Sequence, residues 1–362
     1  MAPPTKVSKE AEITKVFNAA QDRLVLQASD MSLETVAAMV EKGAIDTQPK
    51  YQRRERWSAK RQSALIESFL LNIPIPPVYL AEEAYGKYTV IDGKQRLSTI
   101  TRFMRDELSL CELEKFKALE GLKFRELPNE PRNALEIRPY VRVITLLKQS
   151  DPELKYEVFE RLNTGGEALF PQEIRNAAFR GPLNDAIMRL SETPFLRQQL
   201  KISKDNEPAY LQMQDVEYVL RFLTMKANWE DFSGDYRRSM DKFMEENRDI
   251  AGSQLEVIKK SFSVSLARCQ AFWGTNAFKR YEGGVFRNQF LAGMYDAQMV
   301  AVSQLPLAKA NKLSLKTQLI HRETKKLFEE GQFESWVRSG TNTKSSVEGR
   351  IKAIKNMLEK IA

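Results

Sequence analysis

The residues with the most chemistry to offer are Asp92-Gly93-Lys94-Gln95-Arg96. They follow a short apolar run, Tyr88 to Ile91, and precede Leu97, Ile100 and Met104 at helical spacing. The pattern predicts a strand, an abrupt turn, and the first turn of a helix whose apolar stripe faces a core. Gly93 lets the backbone bend where a Cβ would clash. The first helical turn leaves backbone N–H groups unpaired, and the helix dipole puts partial positive charge there. Lys94 and Arg96 add full charges to the same spot, so an anion, most naturally a phosphate, is stabilised there. Asp92, at the strand's end, has the carboxylate needed to hold Mg²⁺ or orient a water. An ordinary strand-to-helix connection with solvated charges fits the same residues, and the local pattern does not choose between the two.

Two further stretches carry functional residue types. Arg53, Arg54, Arg56, Lys60 and Arg61 crowd together beside Tyr51 and Trp57. Guanidinium groups next to aromatics suit phosphate and base contacts; a solvated face with one aromatic pinned into the core is the other reading. Asn163-Thr164-Gly165-Gly166 makes a turn that can bring backbone N–H groups close to a ligand. Pro171 follows at a helix start, with Glu173 and Arg175 after it. A plain loop before a helix also fits.

The elements that position these residues can be read coarsely. Ser32 is placed to cap a helix with Leu33, Val36, Ala37 and Val40 on one face, ended by Gly43. Ser58 starts a second, with Leu65, Ile66, Phe69 and Leu70 buried. Pro74, Pro76 and Pro77 break it and lead into a strand at Val78-Tyr79-Leu80; Tyr88 to Ile91 is the next strand and Val141 to Leu147 another. From about residue 181 helix follows helix. Asp215 is placed to cap one carrying Val216, Val219, Leu220 and Leu223. Tyr236, Met240, Phe243 and Met244 mark another, Phe286, Phe290, Met294 and Ala297 a third, and Val347 to Leu358 the last. These Met and aromatic stripes read as core rather than a cofactor box. The fold class expected is α+β: a small mixed-sheet domain at 30–180 after a polar lead-in at 1–29, then a helical domain at 181–362.

Composition excludes several classes. The 362 residues carry a net charge of +8, which permits nucleic-acid or nucleotide binding without establishing it. His321 is the only histidine, and Cys111 and Cys269 are the only cysteines, expected as buried free thiols. That removes structural zinc, His-dependent nucleases and Ser-His-Asp hydrolases. There is no Gly-x-x-x-x-Gly-Lys-Ser/Thr P-loop; Gly93-Lys94 is followed by Gln95, which lacks the Mg²⁺-binding hydroxyl. Neither a long apolar run nor a signal-peptide core occurs, so no membrane association and a cytoplasmic location are expected.

Three segments together resemble the N-terminal domain of the GmrSD-type restriction family, a branch of the ParB/sulfiredoxin-like fold. They are Tyr51-Gln52-Arg53 with Trp57 and the run Asn72 to Pro77; Asp92-Gly93-Lys94-Gln95-Arg96, where the family usually has Asp-Gly-Gln-Gln-Arg; and Phe159 to Gly166 with Leu169-Phe170-Pro171-Gln172-Glu173. The resemblance covers roughly residues 30–180. It implies a nucleotide-handling domain of a bacterial anti-phage system that binds or hydrolyses an NTP with Mg²⁺ and controls DNA cleavage. Asp92, Gln95 and Arg96 are then the catalytic candidates. Arg53, Gly93, Lys94, Arg96, Asn163, Thr164 and Gly165 are the nucleotide-binding candidates, and Arg54, Arg56, Lys60 and Arg61 the nucleic-acid ones. With His321 alone, cleavage would fall to a nuclease partner. Lys94 stands where the sulfiredoxin branch has its cysteine, which excludes that chemistry. A non-catalytic DNA-binding adaptor and a regulator that restrains a neighbour's nuclease remain alternatives.

Overall fold

The computed structural model describes residues 6–21, 24–47, 57–150, 157–158, 161–162, 170–204, 206–329, 331–338 and 340–362. The chain divides into two compact units, Met1–Leu169 and Phe170–Ala362. The first is built on a mixed sheet and the second is mostly helical, so the fold class is α+β.

The first unit runs α1 (Lys6–Gln21), β1 (Leu26–Ser32), α2 (Leu33–Glu41), β2 (Ile45–Asp46), α3 (Ala59–Leu70), β3 (Val78–Ala84), β4 (Lys87–Asp92), α4 (Lys94–Met104), α5 (Asn129–Ile137) and β5 (Tyr140–Leu146). The sheet order is β1-β5-β3-β4-β2. The β1/β5 and β3/β4 pairs are antiparallel; β3/β5 and β2/β4 are parallel. Ser32 caps α2 by accepting the Thr35 N–H, and Ser58 caps α3 by accepting the Arg61 N–H. Val36, Ala37, Ile66, Leu97, Ile100 and Phe103 from the helices meet Val78, Leu80, Val90, Val141 and Val143 from the sheet in one core. The stretch read as a polar lead-in contributes α1 and the start of β1; β1 was missed because Leu26 to Ser32 lacks a clean apolar alternation and gains its place from pairing with β5.

Glu67 on α3 is a buried carboxylate inside this core. It accepts the backbone N–H groups of Glu114, Lys115 and Phe116 at 3.1, 2.7 and 3.0 Å. Burial pushes its carboxyl pKa up, but the three N–H groups outweigh that and hold it below its ordinary value. The charge thereby orders a loop that has no strand or long helix of its own.

The second unit runs α6 (Pro171–Ala178), α7 (Pro182–Leu190), α8 (Pro194–Gln199), α9 (Pro208–Leu211), α10 (Gln214–Asn228), α11 (Tyr236–Asn247), α12 (Gly252–Trp273), a hairpin of β6 (Lys279–Glu282) and β7 (Val285–Phe290), α13 (Ala292–Ser303), α14 (Leu307–Leu313), α15 (Thr317–Glu329), α16 (Gln332–Arg338) and α17 (Lys344–Ile361). Helix α13 is buried from Gly293 to Val302 on all sides, which makes it the centre of the unit. It packs against α10, α12, α16 and α17. Asp296 on α13 is fully buried and receives Arg221 of α10 at 2.8 Å, Arg350 of α17 at 2.6 Å and the Tyr236 hydroxyl of α11 at 2.7 Å. The Arg221 guanidinium also lies 3.6 Å from the centroid of the Tyr236 ring. Burial alone would raise the Asp296 pKa, yet the two guanidiniums hold it below the ordinary carboxylate value.

Two helix readings change here. Phe286 and Phe290 lie on strand β7, and the helix begins only at Ala292. A spacing of four puts residues on one face at period 2 as well as at 3.6, and the Gly283-Gly284 turn decides for the hairpin. Asp215 does not cap α10, whose N-cap is Met213; it is the second residue of the helix, buried in its first turn, and pairs with Arg197. Cys269 is buried and Cys111 half-buried, both free. Among the described residues no helix is long and apolar enough to cross a membrane, and no group of three or more His, Cys, Asp or Glu side chains is placed to share a metal.

Replacing Asp296 by Asn leaves two buried guanidiniums uncompensated, a loss of about 3–5 kcal/mol, to be read from urea denaturation. Stability equal to wild type would show that the network is dispensable. Glu67→Gln loses about 1–2 kcal/mol of charge-assisted bonding at pH 7. Because the folded-state pKa of Glu67 lies below its ordinary 4.5, its contribution is present above that value and vanishes as pH falls through the folded one. The gap between wild type and Glu67→Gln in denaturation midpoint therefore closes on acidification; a gap that widens contradicts the assignment.

Candidate functional site

The β4–α4 corner is shaped by three local features. The register of β3 on β4 slips beside Asp92: Tyr79 pairs with Asp92 while Leu80 pairs with Val90, leaving Ile91 as the extra residue. A bulge of this kind re-aims the side chains at a strand's end. Gly93 follows as the α4 N-cap with φ +96°, a conformation that disfavours any side chain. A Cβ there would stand 2.8 Å from Val78 Cγ2 and 3.1 Å from Arg96 Nη2. Gly93 itself has no side chain with which to cap the α4 N-terminus.

The charged groups meet at this corner. Arg96 curls back one turn, and its Nη2 donates to Asp92 Oδ2 at 2.6 Å and to the Pro77 carbonyl at 3.2 Å. The Arg96 side chain is 12% exposed and that of Asp92 is 43% exposed, so the cation is held inside while the carboxylate is half in solvent. Arg96 Nε is buried with no acceptor. Lys94 opens the helix on the same turn.

A second helix start joins the first. The Trp57 N–H, just ahead of α3, donates to Gln95 Oε1 in a long bond of 3.4 Å. Gln62 Nε2 donates to the Trp57 carbonyl at 3.0 Å, and Arg102 Nη1 donates to Gln62 Oε1 at 2.9 Å. The start of α3 is thus braced against α4. The Arg61 guanidinium lies 4.7 Å from the centroid of the Trp57 ring. Lys60 and Arg61 on α3, and Lys94 and Arg96 on α4, occupy the first turns of their helices, and neither first turn holds an acid. That is the reverse of what helix dipoles favour. The arrangement concentrates donors and positive charge where an anion would rest, with one carboxylate able to bind a cation or direct a water.

The structure brings together Asp92, Gly93, Lys94, Gln95, Arg96 and, through Trp57, Arg61. Lys60 is turned to Glu112 at 3.1 Å, both side chains being exposed. Arg53, Arg54, Arg56, Asn163, Thr164 and Gly165 lie outside the described residues. In the Pro171 segment, Glu173 accepts the Phe170 N–H at 2.8 Å and Arg175 is buried against Asp241 at 2.6 Å, so both serve the start of the second unit. The Pro77 carbonyl and the Gln62–Arg102 brace were not legible beforehand. A carbonyl carries no residue-type signal, and Gln62 and Arg102 are forty positions apart.

No curated protein and no solved structure gives a significant match. Residues 36–180 match the family model described as GmrSD restriction endonuclease, N-terminal domain, and the first part of this chain therefore carries a GmrSD-type N-terminal domain.

Proposed function

We infer that this chain is a nucleoside-triphosphate-binding, Mg²⁺-dependent NTP-hydrolysing regulatory component of a restriction or anti-phage system, which passes its signal to DNA or to a nuclease partner. The defence context comes from the GmrSD-type domain at 36–180. The observation that carries the nucleotide reading is the basic start of α4, with Gly93, Lys94 and Arg96 gathered beside a half-exposed Asp92.

Magnitudes favour capture of a polyphosphate. An ion pair with one member as wet as Asp92 contributes up to about 1 kcal/mol. Each charge-assisted bond from a phosphate to Arg96, Lys94 or a first-turn N–H is worth about 1.5–3 kcal/mol. A triphosphate therefore outcompetes Asp92 for the guanidinium. Mg²⁺ fits Asp92 as one carboxylate shared with substrate phosphates, the usual mode for this ion, and not as an all-protein cage. When bound it supplies charge neutralisation. Asp92 would hold it or orient the attacking water, and Arg96 would stabilise charge on the transferred phosphoryl. Gln95 keeps the start of α3 in place through Trp57.

Isothermal titration with ATP, GTP, CTP and UTP in the presence of Mg²⁺, alongside phosphate-release assays with and without DNA, tests the reading. Arg96→Ala should weaken the preferred nucleotide roughly 10- to 100-fold, the equivalent of one buried charge-assisted contact. Affinity unchanged by that substitution would remove the site from consideration. Asp92→Asn should abolish phosphate release and the Mg²⁺ dependence of binding while leaving nucleotide affinity without metal intact or improved, because a repelling carboxylate is gone. Full turnover in Asp92→Asn contradicts its assigned role.

A further inference from the structure

The last four helices, α14 to α17, hold most of the chain's net positive charge. From Leu307 to Ala362 there are 12 Lys and Arg against 6 Glu, a net +6 of the +8 carried by the whole chain. Helices α15, α16 and α17 enclose a cleft of about 580 Å³. Leu319, Phe333, Trp336 and Met357 give it an apolar lining, and Lys326, Asn356 and Lys360 are exposed along it. One acid lines the cleft, Glu323, and it is already matched by Lys326 at 3.0 Å and Arg322 at 3.1 Å. The walls are fixed by tight packing. The Trp336 indole lies so close on the α17 backbone that a Cβ at Gly349 would stand 2.6 Å from its Cε2. Phe333 is buried edge-on against Phe328, with ring centroids 5.2 Å apart. Lys316, just ahead of α15, donates to the Ile361 carbonyl and ties the end of α17 to the start of α15.

We propose that this cleft is the docking groove for an acidic amphipathic helix of a partner protein, whose apolar side chains enter between α15 and α17 while its carboxylates meet Lys326 and Lys360. Charge chooses the partner. With Glu323 satisfied from within, the cleft and the helices that build it present an excess of cations, which attracts an acidic segment and repels a basic one. Length agrees: the α17 residues that line the cleft run from Ala353 to Lys360, about 10 Å at 1.5 Å per residue, the span of positions i to i+7 on a helix laid in a groove. DNA is also acidic, but a phosphate backbone gains nothing from Phe333 and Met357 beneath it. A second copy of this chain would bring the same excess of lysines to both sides. The groove lies wholly within the second unit and is independent of the nucleotide reading.

The test uses the full chain and four probes: a labelled synthetic helix with Leu at i, i+3, i+4 and i+7 and Glu on its flanks, the same helix with Lys in place of Glu, a short DNA duplex, and dodecanoate. The Glu helix should bind, read by fluorescence anisotropy, and should change the protein's tryptophan emission; the Lys helix should do neither. Trp336→Phe leaves Trp57, Trp229 and Trp273 as emitters, so the emission change should vanish while binding stays within about twofold. Lys326→Glu with Lys360→Glu, both at exposed positions, should weaken the Glu helix roughly tenfold or more. Lys204→Glu with Lys226→Glu, the same change of charge outside the cleft, should leave it within about twofold. No binding of the Glu helix, equal loss in the two double variants, or an emission change that survives in Trp336→Phe overturns the proposal. So does binding of the duplex or of dodecanoate that needs Lys326 and Lys360 where the Glu helix does not bind, which gives the cleft to that ligand. Self-association in sedimentation that only the Lys326, Lys360 double variant abolishes gives it to a second copy.

Discussion

Charge can be kept away from water only where partners replace the lost hydration, and both units of this protein are organised by that constraint. In the second unit it acts through Asp296. The central helix α13 carries one buried carboxylate into the interior, and Arg221, Tyr236 and Arg350 must converge on it from three other helices. Apolar packing alone tolerates a range of helix rotations and offsets. A shared carboxylate does not, because each misplaced donor would leave a buried charge unmatched. In the first unit Glu67 does the same for a loop, gathering three consecutive backbone N–H groups onto one side chain.

The β4–α4 corner obeys the same rule with a different outcome. Arg96 is nearly as hidden as the structural arginines, but its acidic partner stands in solvent. Arg350, by comparison, has two backbone carbonyls, a tyrosine hydroxyl and a buried carboxylate around it. Cations in the first turn of a helix are opposed by its dipole, by about 0.3–1 kcal/mol each. The corner is therefore held together by its own contacts, and on the nucleotide reading its imperfect match would favour an incoming anion. The left-handed Gly93 and the slipped register beside Asp92 are the backbone conditions for this arrangement, since either a Cβ at 93 or a regular ladder would aim the charges elsewhere.

How much of this was readable beforehand depended on whether a feature was local. Ser32 and Ser58 as caps, the strand before Asp92, the turn at Gly93 and the buried stripe of α10 all rest on neighbours a few positions apart, and all stand in the structure. Strand β1 did not show, because its residues become a strand only against β5, more than a hundred positions away. Phe286 and Phe290 were ambiguous by period and fell to the hairpin. Asp215 had the residue type of a cap, but its charge was wanted inside, by Arg197. At the site, the charged residues were legible from type and spacing. Their pairing was not: nothing in Arg96 announces that it returns to Asp92, nor in Gln95 that it reaches Trp57.

The donor and acceptor inventory of the corner separates the two halves of the proposed activity. Lys94 stands where an amide would offer both a donor and an acceptor; an ammonium offers donors only. It can attract phosphate, but it cannot accept a hydrogen bond from a water. Gln95 does have a carbonyl oxygen, and that oxygen takes the Trp57 N–H. Arg96 is likewise acceptor-free. Among the side chains from 92 to 96, Asp92 carries the one carboxylate, and it is half-exposed. On the nucleotide reading, capture of the polyphosphate would be shared by the start of the helix, Lys94 and Arg96. On the same reading a water for attack would be oriented by Asp92, the group that holds Arg96 in this structure. Occupancy of the site and activation of the water would then be coupled through that carboxylate: phosphates that drew Arg96 away would release Asp92 to act.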